Sequence, residues 1–464
     1  MSGRNALPAS ASLPSGMQLH IPPRIPLFSN CFPHGSVDLG RYMMYSNALR
    51  KRARSRASLF MQFGAGGESY ESGDNVATPR REIRTRRRRH ILARKDTEDG
   101  PLEIMSPTDS LWYKMYVQNY HILEDDVHQS KFWMRFCLPY NAFLQLAEKV
   151  RKDDRFARWC GPKYKNKRAS PVKLLLLGSL RYLGRGWTFD DIEECTAVSA
   201  DVHRCFLHKF IDFGSNVLYD DYVLTPVRLP EARSNMMEYA QAGFPGCIGS
   251  SDCTHIVTDR CQYNLKNNHL GGKSSLTTRT FNLTCNHRRR ILHSTQGGPG
   301  RWNDMTMVRL DRFISGIQDG SVLEDVSFKL LGYDQEGKVI DLKYKGVYVI
   351  VDNGYLDWSC TVPPFSVTND IDEIRWSRWV ESMRKDVECT FGILKGRWRI
   401  LKAGIRLYGV DVVDKVWLTC CALHNWSLLD IDGLSKEWDG GVCISDWEGT
   451  LGELDFDGVD ESIP

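Results

Sequence analysis

The chain has 464 residues, 42% hydrophobic and 25% charged, with a net charge of +4. That is enough for two or three domains of ordinary soluble composition. No run of 18 apolar residues occurs, since Val172 to Leu183 is broken by Lys173 and Arg181, so no membrane span is expected.

The polar, proline-rich start lacks the pattern of a signal peptide. The near-neutral sum hides a strong polarity. Residues 1–95 hold 17 Lys and Arg against 5 Asp and Glu, whereas residues 430–464 hold 1 against 11. Residues 1–105 show no sustained period and are expected to form a disordered basic arm; residues 431–464 are expected to form an acidic disordered tail. Two clusters in the arm, Arg50-Lys51-Arg52 and Arg86-Arg87-Arg88-Arg89, suit nuclear import or sequence-independent attraction to phosphates.

From Asp126 the pattern turns helical. Phe132, Phe136, Phe143, Leu146 and Val150 recur at helical spacing, with Pro139 interrupting. Helices are predicted from Pro171 to Leu183, from Thr188 to Cys195 and from Ser199 through Phe210, with Thr188 and Ser199 as caps. The short Thr196-Ala197-Val198 turn makes 126–235 an all-α region with a helix-turn-helix candidate. The face expected to be exposed carries His203, Arg204 and Lys209, candidates for DNA contact. None of the fourteen cysteines forms a C-x-x-C pair, and Cys195, His203, Cys205 and His208 lack the paired short spacings of a structural zinc site.

From residue 245 to 430 the pattern becomes mixed. Cys247 to Val257 reads as a strand with Asp252 inside it. Thr280 to Cys285 and Ile291 to Thr295 read as a hairpin, and a helix capped by Asn303 or Asp304 follows. Tyr344 to Val351 is the most strand-like run and ends in Asp352-Asn353-Gly354. Trp376 to Leu401 reads as one long amphipathic helix, with Val380, Met383, Val387, Phe391 and Leu394 on its apolar stripe and Arg384, Glu388 and Lys395 beside it. A last helix runs through Val412, Val416 and Leu423.

Asp252, Asp352 and Glu388 thus sit on two strands and a helix that can pack together. Carboxylates in that arrangement can hold magnesium-like cations, which prefer oxygen ligands and serve phosphodiester chemistry. Each acid also has a plainer explanation: Asp252 as a strand-end acid, Asp352 as a turn former, and Glu388 as a surface partner of Arg384.

Four ordered motifs carry a resemblance: Ser251-Asp252-Cys253-Thr254-His255, Pro299-Gly300-Arg301-Trp302-Asn303-Asp304, Val351-Asp352-Asn353-Gly354-Tyr355, and Val387 to Trp398 around Glu388. With the 36-residue step from Asp352 to Glu388 and Cys420 to Asn425 near the end, they resemble the nuclease domain of the PIF/Harbinger superfamily of DDE transposases. Asn353 stands where the family usually has serine, and Cys389 where a charged residue is commoner.

The resemblance implies an α/β fold: an RNase H-like mixed sheet with flanking helices over 245–430, preceded by the helix-turn-helix region. It implies a nuclear endonuclease that uses Mg2+ or Mn2+ to cut DNA at transposon ends and joins the freed 3′-hydroxyl to target DNA. Asp252, Asp352 and Glu388 would be catalytic metal ligands, with Asp304 a fourth, and Arg384, Lys395, Arg397 and Arg399 would grip the DNA backbone. It also implies a Myb-like accessory protein and a homo-oligomer when two ends are synapsed. A domesticated DNA-binding protein without nuclease activity, or a helix-turn-helix transcription-factor-like protein, remain the alternatives.

Overall fold

A computed structural model describes residues 105–118, 122, 125–160, 170–271, 275–334 and 336–430. The basic clusters Arg50-Lys51-Arg52 and Arg86 to Arg89, and the acidic tail, lie outside the described residues.

The helical region follows its local signals closely. Helix α1 (Asp126–Phe136) is capped by the Asp125 carboxylate, which accepts from the Val127 and His128 amides. Pro139 then starts α2 (Tyr140–Lys152), so the predicted segment is two helices. Helix α3 (Val172–Arg185) ends on Gly186, whose φ of 68° is the usual left-handed stop. Helix α4 (Phe189–Thr196) has a capping box between Thr188 and Asp191.

The turn to α5 (Ala200–Phe213) passes through Ala197 at φ 53°. Ser199 makes no side-chain cap there; the Glu193 carboxylate accepts from the Ala200 amide at 2.7 Å instead. Helix α6 (Leu229–Gln241) closes the region with Pro in its first turn.

The sheet begins with β1 (Cys247–Val257), paired antiparallel with β2 (Thr278–Cys285). Strand β3 (Ile291–Ser294) adds antiparallel to β2, and the two-residue β4 (Gly298–Pro299) pairs the other part of β2. Asn303 caps α7 (Asp304–Leu310), accepting from the Thr306 amide.

The single helix predicted after Asn303 or Asp304 is broken at Asp311. Its buried carboxylate accepts from the Phe313 and Ile314 amides and opens α8 (Arg312–Asp319). A separate hairpin follows, β5 (Ser327–Tyr333) with β6 (Val339–Lys345). The predicted strand from Tyr344 to Val351 is split at Gly346, φ 85°, where the chain leaves the hairpin and enters β7 (Tyr348–Ile350) of the main sheet. Strand β8 (Thr361–Val362) completes the order β3-β2-β1-β7-β8, with β1, β7 and β8 parallel.

Helix α9 (Ile371–Arg397) is capped by the Asp370 carboxylate and starts and ends earlier than predicted; Arg399 and Leu401 lie beyond it. Its stripe is as expected, with Trp376, Val380, Met383, Val387, Phe391 and Leu394 all buried. Helix α10 (Val410–Asp430) is last. One apolar core runs from Phe132 and Phe210 of the helices to Phe281 of the sheet and Trp417 and Trp426 of α10. Burial of this kind, about 1.5–3 kcal/mol per large apolar side chain, fixes the helical region against the sheet.

Candidate active site

The register of two parallel strands brings the first pair of acids together. Gly249 pairs with Val349 and Ser250 with Ile350. Two residues on, each strand reaches its aspartate, and adjacent strands lie about 4.8 Å apart. Asp252, within β1, and Asp352, just past the end of β7, therefore lie side by side.

The turn after Asp352 is closed by its own carboxylate, which accepts from the Gly354 amide at 2.9 Å. The plainer role of Asp352 as a turn former is thus real, and it leaves the other carboxylate oxygen out of that bond. Gly354 has a second reason to be glycine. A Cβ there would sit 2.9 Å from Asp304 Oδ2 and 3.1 Å from Asp352 Oδ1. Asp304 is not the cap of α7, since Asn303 is; its carboxylate instead lies by Gly354 and accepts from the Cys253 thiol.

Asp252 feels both neighbours. Burial pushes its carboxyl up to about 6; Asp352 and Asp304 push the same way, while the Cys253 amide and Arg384 pull back. The Cys253 amide bond is 2.7 Å.

Helix α9 supplies the other charges. Arg384 donates to Asp252 Oδ2 at 3.3 Å and is paired with Glu388 Oε1 at 2.7 Å. One guanidinium therefore bridges the strand acid and the helix acid, and the Glu388 side chain is 47% exposed. Lys395, a helix turn or two further along, donates to the Thr254 hydroxyl at 2.5 Å. Burial lowers its pKa, against the pull of Asp252.

Beneath the acids lies a buried polar network that the sequence did not announce. Asn282 Oδ1 accepts from the Tyr355 hydroxyl at 2.5 Å and from Ser251 at 3.3 Å, and Asn282 Nδ2 donates to Asp311 Oδ2 at 2.7 Å. Tyr355, next to the Asp352 turn, thereby ties that turn to β2 and to the cap of α8. The available signal was the tyrosine ending Asp352-Asn353-Gly354-Tyr355.

Several predicted contacts are corrected. His203 is buried, not on an exposed face; it bonds the Thr196 hydroxyl at 2.8 Å, and Gly178 of α3 leaves the space for its ring. Helix α5 turns that side inward because Phe206, Leu207 and Phe210 share it. Arg204 is paired with Asp201 at 2.6 Å, while Lys209 is exposed. Arg384 is engaged by two acids and Lys395 is mostly buried, so neither is an open phosphate contact in this conformation. Arg397 is half-buried and Arg399 exposed. His255 bonds the Thr280 hydroxyl at 3.1 Å on β2, and strand alternation sends it to the face opposite Asp252.

An oxygen-only donor set such as Asp252, Asp304 and Asp352 matches what a hard divalent cation prefers. The cationic Arg384 already standing between Asp252 and Glu388 shows that this cluster takes positive charge. Among the described residues no three His, Cys, Asp or Glu side chains are gathered tightly enough to share an ion. Glu388 in particular is turned to Arg384 and not to the aspartates.

Residues 226–433 match the family model described as plant transposon protein. The chain is 23% identical to "Protein ALP1-like" of Arabidopsis thaliana over 270 residues, 56% of this chain and 63% of that protein. It is 22% and 21% identical to the mouse and human proteins named "Putative nuclease HARBI1" over 192 residues, 41% of this chain and 48% of each. The matched part thus spans from about half to just under two thirds of these relatives. No solved structure matches.

Proposed function

We propose that the chain, whose residues 226–433 match the plant transposon protein family and are consistent with the PIF/Harbinger-derived transposase kind, is a divalent-metal-dependent DNA endonuclease. The observation that carries the proposal is the closeness of Asp252, Asp304 and Asp352 where β7 ends beside β1, with Glu388 linked to Asp252 through Arg384. The strand order β3-β2-β1-β7-β8, with its antiparallel and parallel halves meeting at β1, supports an RNase H-like reading of the fold.

Asp252, Asp304 and Asp352 would have to draw closer to hold a magnesium or manganese ion, with Glu388 able to join once Arg384 releases it. A bound ion supplies an activated water and offsets charge developing on the phosphate. The chain's own residues do the rest. The Asn282–Tyr355–Asp311 network fixes the backbone that carries Asp252 and Asp352. Lys395, bonded to Thr254 two residues from Asp252, adds a positive charge behind the acids and not an open phosphate contact. Joining of the freed 3′-hydroxyl to target DNA, nuclear import through the basic arm, a Myb-like helper and pairing of two copies at synapsis belong to the same reading.

The test is cutting of duplex DNA carrying the element's ends, in magnesium or manganese, by wild type and by Asp252→Asn and Asp352→Asn. Cutting by wild type alone supports the proposal. No cutting by wild type, or equal cutting by the variants, sinks it.

A further inference from the structure

The C-terminal end of α3 is ringed by arginines that form no ion pair among the described residues. Arg181 donates to the Arg135 carbonyl at 2.8 Å, Arg185 to the Met134 carbonyl, and Arg406 to the Gly186 carbonyl. The Arg399 amide reaches the Gly184 carbonyl at 3.3 Å, and Arg135 donates to the Tyr116 hydroxyl. The Arg181 guanidinium lies 3.8 Å over the Trp187 ring, which holds it flat.

Several arginines of the sheet region are paired: Arg279 with Asp414, Arg288 with Glu238, Arg289 with Asp386, and Arg384 with Asp252 and Glu388. Arg135, Arg181, Arg185, Arg399 and Arg406 make no ion pair among the described residues. The guanidiniums of Arg135, Arg181, Arg185 and Arg406 are positioned by carbonyls and a hydroxyl, which do not cancel their charge, whereas Arg399 is held at this end by its backbone amide. Asp191 is near enough to sense Arg406 but forms no ion pair with it; its hydrogen bonds come from the Thr188 amide and hydroxyl at 2.9 and 2.8 Å.

The plainer explanation is that cations favour a helix C-terminus. That end carries only about half a unit of negative charge, too little for five guanidiniums. Mutual repulsion is the cost of keeping them together, and burial with Arg185 and Arg135 nearby lowers the pKa of Arg181. Arg135, Arg399 and Arg406 are exposed.

We infer that Arg135, Arg181, Arg185, Arg399 and Arg406 form a phosphate-gripping track for duplex DNA, leading from the candidate active site onto the helical region. The inference rests on the DNA-cutting reading for the identity of its ligand. Continuity supplies the path: Arg399 follows α9 directly, and the last turns of α9 carry Lys395, which is bonded to β1 two residues from Asp252. The track replaces the α5 surface, where His203 is buried and Arg204 paired, as the main contact of the helical region with DNA.

The experiment measures binding of the full chain to two unrelated duplexes by fluorescence anisotropy, without divalent metal, across 50–200 mM salt. The compared protein carries Arg135→Gln, Arg185→Gln, Arg399→Gln and Arg406→Gln together. Each phosphate contact contributes about 0.9 to the slope of log affinity against log salt, so the slope should fall by about 3–4 and affinity at least about tenfold, alike for both sequences. Lysine at the four positions should restore most of both.

Arg375→Gln, an exposed change at the opposite end of α9 paired with Asp372, should alter neither. Affinity within twofold of wild type and an unchanged slope would overturn the inference. So would an equal loss from Arg375→Gln, or a wild type that binds no duplex. Since no cutting is read, a wild type that binds through the track but never cleaves would defeat only the nuclease reading. Circular dichroism and the single changes Arg399→Gln and Arg406→Gln guard against a misfolded quadruple variant.

Discussion

Arg384 and Glu388, one helical turn apart on α9, are paired at 2.7 Å, and the same guanidinium reaches Asp252 on β1 at 3.3 Å. A plain i,i+4 pair on a surface is worth about 0.3–0.5 kcal/mol. Here the pair is extended to a half-buried aspartate that two other acids crowd, so the guanidinium is the positive charge of the cluster in this conformation.

Replacing Arg384 by glutamine should therefore free both acids. The expected result is several-fold tighter binding of manganese in calorimetry, and a lower melting temperature without metal that manganese restores. Unchanged manganese affinity would mean that Arg384 does not compete for the site.

Asp311→Ala should be among the more damaging changes away from the acids. It removes the cap of α8 and leaves Asn282 Nδ2 and two backbone amides without their acceptor in a buried place. A loss of about 2–4 kcal/mol in urea unfolding is expected. A loss below about 1 kcal/mol would show that water or neighbours replace the carboxylate.

Two buried histidines make stability fall in mild acid. Burial pushes His203 and His424 down to about 4 in the folded chain, against about 6.5 when unfolded. Between these values the unfolded state binds more protons, so stability is intact above about pH 6.5 and falls as pH drops toward 4. Between pH 6.5 and 5 the loss should be roughly 1–2 kcal/mol per histidine. His203→Gln, measured by urea unfolding at both pH values, should remove its share of the difference. A pH dependence identical to wild type would contradict the assignment.

The sequence made the site legible to different depths. Asp252 and Asp352 could be found because one lies within and the other just after a run whose pattern is local, and β1 forms from Cys247 to Val257 as read. The apolar stripe of α9 was equally plain. What could not be read is what depends on pairs far apart in the chain: the bond of Arg384 to a residue 132 positions earlier, and the Asn282–Tyr355 bond across 73. The β5–β6 hairpin was missed because Gly346 interrupts an otherwise continuous strand-like run. His203 was misplaced because a helix in contact with partners on several sides, here α3 and α4, has no single exposed face to infer from spacing.

The central claim is that Asp252, Asp304 and Asp352 hold a divalent cation, with Glu388 recruited from Arg384. A crystal structure of the protein soaked in manganese, with anomalous scattering recorded at the metal, tests it most directly. The account predicts a manganese peak between Asp252 and Asp352, with the Arg384 guanidinium withdrawn and the Glu388 carboxylate turned toward the ion. No peak at these aspartates, with Arg384 still bridging Asp252 and Glu388 in saturating manganese, would contradict it.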